Sequence, residues 1–197
     1  MSDEDARRLA GAYSPDVPVP PHVAELRAHI GHALLWLATA RTVTIDDHGH
    51  IIPGRYPGVS TWTIPGGVID PGEQPADAAV RECCEETGII AVPEALTSIT
   101  VSGLVTHDSG DLTRHLDITF RCRATGGQPR PGDGEFQHVR WHRVDALPPL
   151  PAYEHAIITR ALRDSNQLAC TFSGFPQAFR HNRLPTVTNV IEKAAHR

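Results

Sequence analysis

Apolar and polar residues follow several distinct patterns in the first part of the chain. Residues 23–30 carry apolar side chains three and four positions apart, a spacing that predicts a short amphipathic helix. Residues 33–40 are apolar except for Thr39, and such a run is typical either of a buried strand or of the last turns of a helix. Residues 42–45 and 50–52 favour β-structure and flank a turn sequence, so they predict a β-hairpin.

Longer strands are predicted in the second half of the chain. Residues 96–106 and 116–124 are rich in β-forming side chains and are separated by the turn-forming residues 108–111. Within 116–124 apolar and polar residues alternate, which is the pattern of a sheet with one buried face. Residues 135–141 predict one further strand.

Two longer helices are predicted. The first, Pro75–Thr87, opens with a proline, whose missing N–H costs nothing in a first helical turn. Gly88 follows this helix and can adopt the left-handed conformation that closes it. The second is an amphipathic helix at 152–163. Its expected core side chains are Ile157, Ile158 and Leu162.

The order of strands and helices suits one α/β domain with an extension at each end. At 197 residues and 40% apolar composition, the chain can bury a sizeable core. Residues 1–32 comprise a polar, proline-rich lead and the short helix. Residues 165–197 mix aromatic and basic side chains, for which a loosely docked terminus is the simpler interpretation. Closure of this segment over an anionic substrate is the alternative.

Composition excludes several classes of protein. The net charge of −5 argues against a nucleic-acid surface. The four cysteines form no C-x-x-C pair, which argues against zinc and structural disulfides and favours a reducing compartment. Nothing near the amino terminus has a basic region followed by an apolar core, so no signal peptide is predicted. No apolar run approaches the roughly 18 residues of a membrane span. The sequence therefore predicts a cytoplasmic protein with no membrane or nucleic-acid partner.

Three carboxylates on one face of the first long helix are the main candidates for chemistry. Glu82, Glu85 and Glu86 stand three and four residues apart, so they project as neighbours and repel one another. Adjacent Arg81 is expected to offset only part of this repulsion. Magnesium and manganese are hard ions that take carboxylate oxygens together with the phosphates of a substrate. Such an ion, bound between the carboxylates, would replace their mutual repulsion with a net attraction. A solvated acidic helix face is the alternative.

The spacing around these glutamates resembles a known family motif. From Gly67 the chain reads G-x5-E-x7-R-E-C-x-E-E-x-G-I. It is similar to the Nudix box, G-x5-E-x7-R-E-U-x-E-E-x-G-U with U a bulky apolar residue, at every specified position except Cys83. A free cysteine behaves as a small hydrophobe, so this departure affects packing more than chemistry. The resemblance covers about residues 33–164.

The resemblance implies a fold and an activity. The fold is a Nudix-type α/β/α sandwich around a mixed β-sheet. The activity is Mg²⁺-dependent hydrolysis, with Mn²⁺ as a substitute, of the diphosphate in a small molecule. The leading substrate is a nucleoside diphosphate linked to another moiety, such as an ADP-sugar. Oxidised nucleoside triphosphates and non-nucleoside diphosphates such as prenyl diphosphates are alternatives, and a nucleotide-sensing domain without catalysis is an alternative of another class.

The resemblance also assigns roles to residues of the box. The metal ligands it implies are the Gly66 carbonyl, Glu82, Glu85 and Glu86, and the three glutamates are also the catalytic candidates. Glu73 is expected to pair with Arg81 and to hold the helix against the preceding loop.

Glu135 is the candidate outside the box. In several relatives a glutamate just before the strand that ends in tryptophan, here Trp141, is a metal ligand or the base that accepts the proton of the attacking water. The loop at 126–134 is expected to carry Glu135 back to the sheet end where the box helix begins. Asp133 is the nearby competitor, and a solvated turn acid is the alternative interpretation.

Other candidates concern substrate and partner binding. Arg55 is a candidate phosphate contact, with a solvated loop arginine as the alternative. Of the 12 scattered histidines, His107 and His115 flank a turn that could border the substrate cleft. In some relatives an added amino-terminal element builds a dimer interface, so a homodimer is expected as an alternative to a helix that only caps the sheet.

Overall fold

The structure, a computed structural model, describes residues 19–107, 109–132, 134–163 and 169–170. These residues contain three helices and ten strands, joined by turns and loops. The helices are α1 (Pro21–Ile30), α2 (Pro75–Thr87) and α3 (Ala152–Leu162). The strands are β1 (Leu35–Ile45), β2 (His50–Ile51), β3 (Gly54–Arg55), β4 (Gly66–Val68), β5 (Ile89–Val101), β6 (Val105–Thr106), β7 (Leu112–Gly127), β8 (His138–Val139), β9 (His142–Arg143) and β10 (Ala169–Cys170).

One mixed sheet forms the centre of the fold. Its strand order is β10-β5-β7-β1-β2-β9, with β4 added along β1 and β6 along β7. Strand β1 runs parallel to β7, from Leu35 opposite Thr113 to Ile45 opposite Arg123. Strand β5 runs antiparallel to β7. Strands β3 and β8 form a separate two-stranded sheet beside it.

Helices cover both faces of this sheet. Because successive side chains of a strand point to opposite faces, β1 contributes side chains to the packing on both faces of the sheet. Thr44 faces α2, where its Oγ1 lies 3.3 Å from Cys83 Sγ. Val43 belongs instead to the core cluster that contains Ile157 and Ile158 of α3. The result is the predicted α/β/α sandwich, with α2 and α3 on opposite faces of the mixed sheet.

Several predicted boundaries are wrong. Residues 35–40 of the apolar run and the first arm of the hairpin form one continuous strand, because β1 pairs with β7 over its whole length. Strand β5 begins at Ile89, directly after α2, and ends at Val101 rather than continuing to residue 106. The predicted strand at 135–141 is reduced to β8, and β9 follows after a break.

Two predictions about burial are also wrong. The polar side of residues 116–124 was expected to face solvent, but Thr119 is fully buried because α3 packs over that face. Leu162 was expected in the core and is 38% exposed, since it lies at the last position of α3. Ile157 and Ile158 are buried as predicted.

The amino-terminal helix docks on the domain. Val23 is buried, and Arg27 Nη2 donates to the Leu112 carbonyl at 2.8 Å. The prediction of a flexible lead falls largely on residues 1–18, and that of an aromatic and basic tail largely on 171–197, both outside the described residues. Within the described ranges, no helix combines the length and the apolar composition needed to cross a bilayer.

Candidate functional site

The second half of α2 carries the three predicted glutamates at different depths. Glu86 is fully buried, since it shares the inward face of the helix with Ala79 and Cys83. The side chain of Glu82 is 13% exposed and that of Glu85 is 48% exposed. Helical periodicity places Glu82 one turn before Glu86, so both carboxylates lie on the side of α2 that faces the β4 segment.

Arg81 connects the acidic residues around it. Its Nε and Nη2 donate to the two carboxylate oxygens of Glu73, at 2.9 and 3.0 Å. Its Nη1 donates to Glu82 at 2.8 Å and to Glu85 at 2.9 Å. The hydrogen bonds from Arg81 hold the pKa of Glu73 below its ordinary value. Arg81 therefore contacts two of the three helix glutamates, Glu82 and Glu85, together with Glu73.

Two glycines of the β4 segment receive the carboxylates of Glu82 and Glu86. The Gly66 N–H donates to Glu86 Oε2 at 2.8 Å. A Cβ atom at Gly67 would lie 2.5 Å from Glu82 Cδ, so only glycine leaves room for this carboxylate. Both carboxylates therefore meet the chain where β4 begins.

The loop that precedes Glu135 lies against the carboxyl-terminal half of α2. The Arg130 N–H donates to the Thr87 carbonyl at 2.9 Å, and Gly132 packs against the Glu85 carbonyl. The expectation that this loop returns to the start of the box helix is wrong, because it follows directly from β7, whose last residues pair with the start of β5. Glu135 itself is half-buried, and Asp133 lies outside the described residues.

The donor set suits a hard divalent cation, although its members have other partners in this structure. Among the described residues, no three His, Cys, Asp or Glu side chains converge as a metal site. Glu82 and Glu85 are held by Arg81, and Glu86 by the Gly66 N–H. Carboxylate oxygens are the ligands that Mg²⁺ and Mn²⁺ take. The contacts of Glu82 with Gly67 and of Glu86 with Gly66 bring two of these carboxylates to the start of β4.

A cleft of about 420 Å³ opens on the α3 face of the sheet beside these glycines. Its lining includes Gly66, Gly67, Tyr56, Trp62, Asp117 and Arg160. The cleft therefore reaches from the start of β4 to the middle of β7. An anionic group bound at the glycines would lie next to the carboxylates of α2, and the remainder of the same molecule would occupy the cleft.

A buried ion pair forms part of the floor of the cleft. Glu154 of α3 is fully buried and accepts from Arg41 Nη2 of β1. It also accepts from Thr63 Oγ1 at 2.7 Å and from the Ile64 N–H at 3.3 Å. Burial alone would lower the pKa of Arg41, but the Glu154 carboxylate keeps it above its ordinary value. This network fixes the segment that leads into Gly66.

The three predicted substrate-binding residues lie at different places. Arg55 Nη1 donates to the Val59 carbonyl at 2.9 Å, and its guanidinium carbon lies 6.0 Å from the centre of the Trp62 ring. His115 lines the cleft, and burial lowers its pKa. His107 Nε2 lies 2.9 Å from Thr113 Oγ1. The structure thus brings His115 to the cleft, while these contacts of Arg55 and His107 are to the protein.

Three charged residues that line or support the cleft were not predicted from the sequence: Arg41, Asp117 and Glu154. Glu154 lies three and four residues before Ile157 and Ile158, so it places a charge on the apolar face of the predicted helix. Arg41 directly follows the apolar run, and Asp117 occupies a polar position of the alternation at 116–124. A charge on the buried face of an element indicates a paired or functional group. That signal is present in the sequence for Glu154, but the partners of all three charges depend on the tertiary fold.

Comparison with known proteins identifies relatives of the matched region. A family model for the NUDIX domain matches residues 37–162. A MutT-like protein of Streptomyces ambofaciens is 30% identical over 118 residues, which cover 58% of this chain and 69% of that protein. A Bacillus subtilis (strain 168) protein named provisionally as an 8-oxo-dGTP diphosphatase is 31% identical over 109 residues, covering 55% of this chain and 68% of its own.

A solved structure shares the fold. The crystal structure of a UDP-X diphosphatase superimposes with a TM-score of 0.53 at 23% identity, covering 74% of this chain and 70% of the other. At this level of identity the likeness concerns the fold alone. The region matched by the family model includes the glutamates of α2, the two glycines and most of the cleft.

Proposed function

This chain belongs to the NUDIX family and is a pyrophosphohydrolase, and from that premise we propose that it hydrolyses the diphosphate linkage of a nucleoside diphosphate joined to a second moiety, with Mg²⁺ as its cation. An ADP-sugar is the leading example of such a substrate. Water is the nucleophile, and phosphorus is the atom attacked.

One observation carries the proposal. The carboxylates of Glu82 and Glu86 reach Gly67 and Gly66, and both glycines also line the cleft. A diphosphate at this edge would lie beside the acidic residues, while an attached nucleoside or sugar would have about 420 Å³ of space. The arrangement supports a substrate with two parts, a charged centre and a bulky moiety.

The box carboxylates would hold the cation. Glu82, Glu85 and Glu86 would serve as ligands, with the Gly66 carbonyl as a further one and Mn²⁺ as a substitute metal. A bound divalent cation neutralises the anionic oxygens of a diphosphate and lowers the pKa of a coordinated water. Arg81 donates to one oxygen each of Glu82 and Glu85, and the same two carboxylates would coordinate the ion.

The remaining roles fall to residues around the box. The bidentate pair between Arg81 and Glu73 anchors α2 to the loop after β4 and orients the neighbouring carboxylates. Glu135 is the proposed proton acceptor for the attacking water, supported by the contact of Gly132, three residues earlier, with the Glu85 backbone. Asp133 remains the competing candidate.

A nucleoside triphosphate, including an oxidised one, is the second candidate substrate. It is favoured by the name of the B. subtilis relative, which is similar to this chain over 109 residues. A nucleotide sensor without turnover is disfavoured, because the carboxylates that catalysis needs are all present. The homodimer, the cytoplasmic location and the domain limits at 33 and 164 stay predictions of the sequence.

A substrate screen tests the proposal. The full chain is incubated with Mg²⁺ and a panel of ADP-sugars, dinucleotides, nucleoside triphosphates and prenyl diphosphates, and phosphate release is followed after a coupled phosphatase. We expect the highest kcat/KM for a nucleoside diphosphate linked to a sugar or a similar moiety. A clear preference for triphosphates would select the second candidate, and ligand binding without turnover across the panel would select the sensor.

A further inference from the structure

A row of polar residues crosses the sheet at the far end of the cleft. Asp117 of β7 pairs with Thr39 of β1 on one side and with Thr100 of β5 on the other. All three line the cleft. Side chains in register on neighbouring strands point to the same face, so the carboxylate lies between two hydroxyl-bearing side chains.

The Asp117 carboxylate is held in place by its neighbours on the sheet. Thr39 Oγ1 donates to Asp117 Oδ1 at 2.6 Å, which fixes the orientation of the group. Arg41, in the neighbouring row, is paired with Glu154, and its charge also interacts with that of Asp117. His115 lies on the same side of β7, and burial lowers its pKa, so at neutral pH it carries no charge that would cancel that of Asp117.

The strand pairing fixes the distance between this carboxylate and the glutamate end of the cleft. Val68 of β4 pairs with Thr39, which pairs in turn with Asp117. Two strand spacings of about 4.8 Å therefore separate the backbones of Val68 and Asp117 by roughly 10 Å. A nucleoside or sugar attached to a diphosphate at Gly66 and Gly67 spans such a distance.

We propose that Asp117 is a specificity-determining residue that accepts hydrogen bonds from hydroxyl or amino groups of the substrate moiety and excludes a further phosphate from the same position. A carboxylate offers only acceptors, so it binds groups that donate. Its negative charge repels a third phosphate that would otherwise extend along the cleft. The inference rests on the proposed function, because it requires the diphosphate to lie at the glutamate end.

The test compares the full-length wild type with Asp117→Asn. The first probe is an ADP-sugar in which a methylene group joins the two phosphorus atoms, so that it is not hydrolysed. The second probe is inorganic tripolyphosphate. Both affinities are measured by calorimetry with Mg²⁺, and Asp47→Asn, a loss of an exposed turn carboxylate, is the matched control.

The expected changes have opposite signs. Loss of a hydrogen bond to a charged group should weaken binding of the ADP-sugar analogue by about 10- to 100-fold. Tripolyphosphate should bind the variant more tightly, because the repulsion is removed. A purely structural defect would weaken both probes, and that result, or unchanged affinities for both, would overturn the inference.

The experiments distinguish failure of the Asp117 assignment from failure of the proposed function. If the wild type turned over none of the hydrolysable diphosphates but the two affinities changed as expected, Asp117 would remain a recognition residue of a binding domain. If the wild type were active and the affinities did not change, the assignment of Asp117 alone would be wrong.

Discussion

Replacing Gly67 with alanine tests whether the position of the Glu82 carboxylate controls activity. A Cβ at residue 67 would lie 2.5 Å from Glu82 Cδ and 2.8 Å from Oε2, closer than any normal contact. The obstructing atoms are the end of a flexible side chain, so the carboxylate can swing away while the backbone stays in place. The hydrogen bond from Arg81 Nη1 to Glu82, 2.8 Å long, should then be lost or weakened.

The expected cost is small for stability and large for rate. Losing one hydrogen bond between charged groups costs about 1.5–3 kcal/mol at most, and in this partly solvated pair we expect the lower end. For a chain of this size, each 1 kcal/mol lowers Tm by about 2–4 °C. Loss of a preorganised electrostatic contact lowers kcat by about 10²–10³. Gly67→Ala should therefore remain folded and lose about a hundredfold in kcat.

A double-mutant cycle separates this mechanism from a general packing defect. Gly67→Ala, Glu82→Ala and the double variant are compared by kcat with an ADP-sugar and Mg²⁺. If alanine acts through Glu82, the double variant should be no slower than Glu82→Ala alone. Gly126→Ala is the matched control, since a Cβ there meets only Ile90 Cδ1 at 3.8 Å. Additive losses, or a rate for Gly67→Ala within threefold of the wild type, would refute the reasoning.

Three further variants or modifications test other parts of the structure. Glu154→Ala leaves a buried guanidinium without its partner and should lower the free energy of unfolding in urea by about 3–5 kcal/mol, whereas a loss below 1 kcal/mol would contradict the buried ion pair. Burial raises the pKa of Cys83 to about 11, so at pH 8 its thiol stays protonated and unreactive, while exposed Cys84 should be alkylated first; peptide mapping that finds Cys83 labelled before Cys84 would contradict this burial. Glu135→Gln should lower kcat by about 10²–10⁴ with little change in substrate affinity, and wild-type kcat would remove it as the base.

Elements whose structure depends only on neighbouring residues could be predicted from the sequence. The helix Pro75–Thr87 and its left-handed Gly88 are found as predicted, because a proline start and a glycine stop act within one turn. The hairpin turn at Asp46 also follows from local chemistry, since its carboxylate accepts from the backbone N–H groups of His48 and His50. These features need no knowledge of distant contacts.

The choice between strand and helix for the apolar run, and the burial of its side chains, depended on tertiary contacts. Residues 35–40 of the apolar run form a strand because they pair with residues 113–118 of β7. Trp36 is 56% exposed despite its place in an apolar run, since burial depends on which side of β1 the neighbouring layers cover. Apolar periodicity alone contains neither fact.

The candidate site also contains residues that could be predicted from local spacing and residues that could not. The glutamates of α2 and their arginine could be recognised from spacing, but their contacts with Gly66 and Gly67 depend on how β4 packs against the helix. Asp117 could not be found, because its position in the cleft follows from the register between β1 and β7. Residues brought together by strand register leave no mark at a fixed sequence spacing.

The most direct test of the central claim is the rate of ADP-sugar hydrolysis by Glu86→Gln at saturating Mg²⁺. Glutamine keeps the shape of this buried side chain and can still accept from the Gly66 N–H, so the fold should be retained and circular dichroism should be unchanged. We predict that wild-type turnover disappears with EDTA and that the variant loses at least about a hundredfold in kcat. Wild-type turnover that survives EDTA, or a variant as fast as the wild type, would contradict the account.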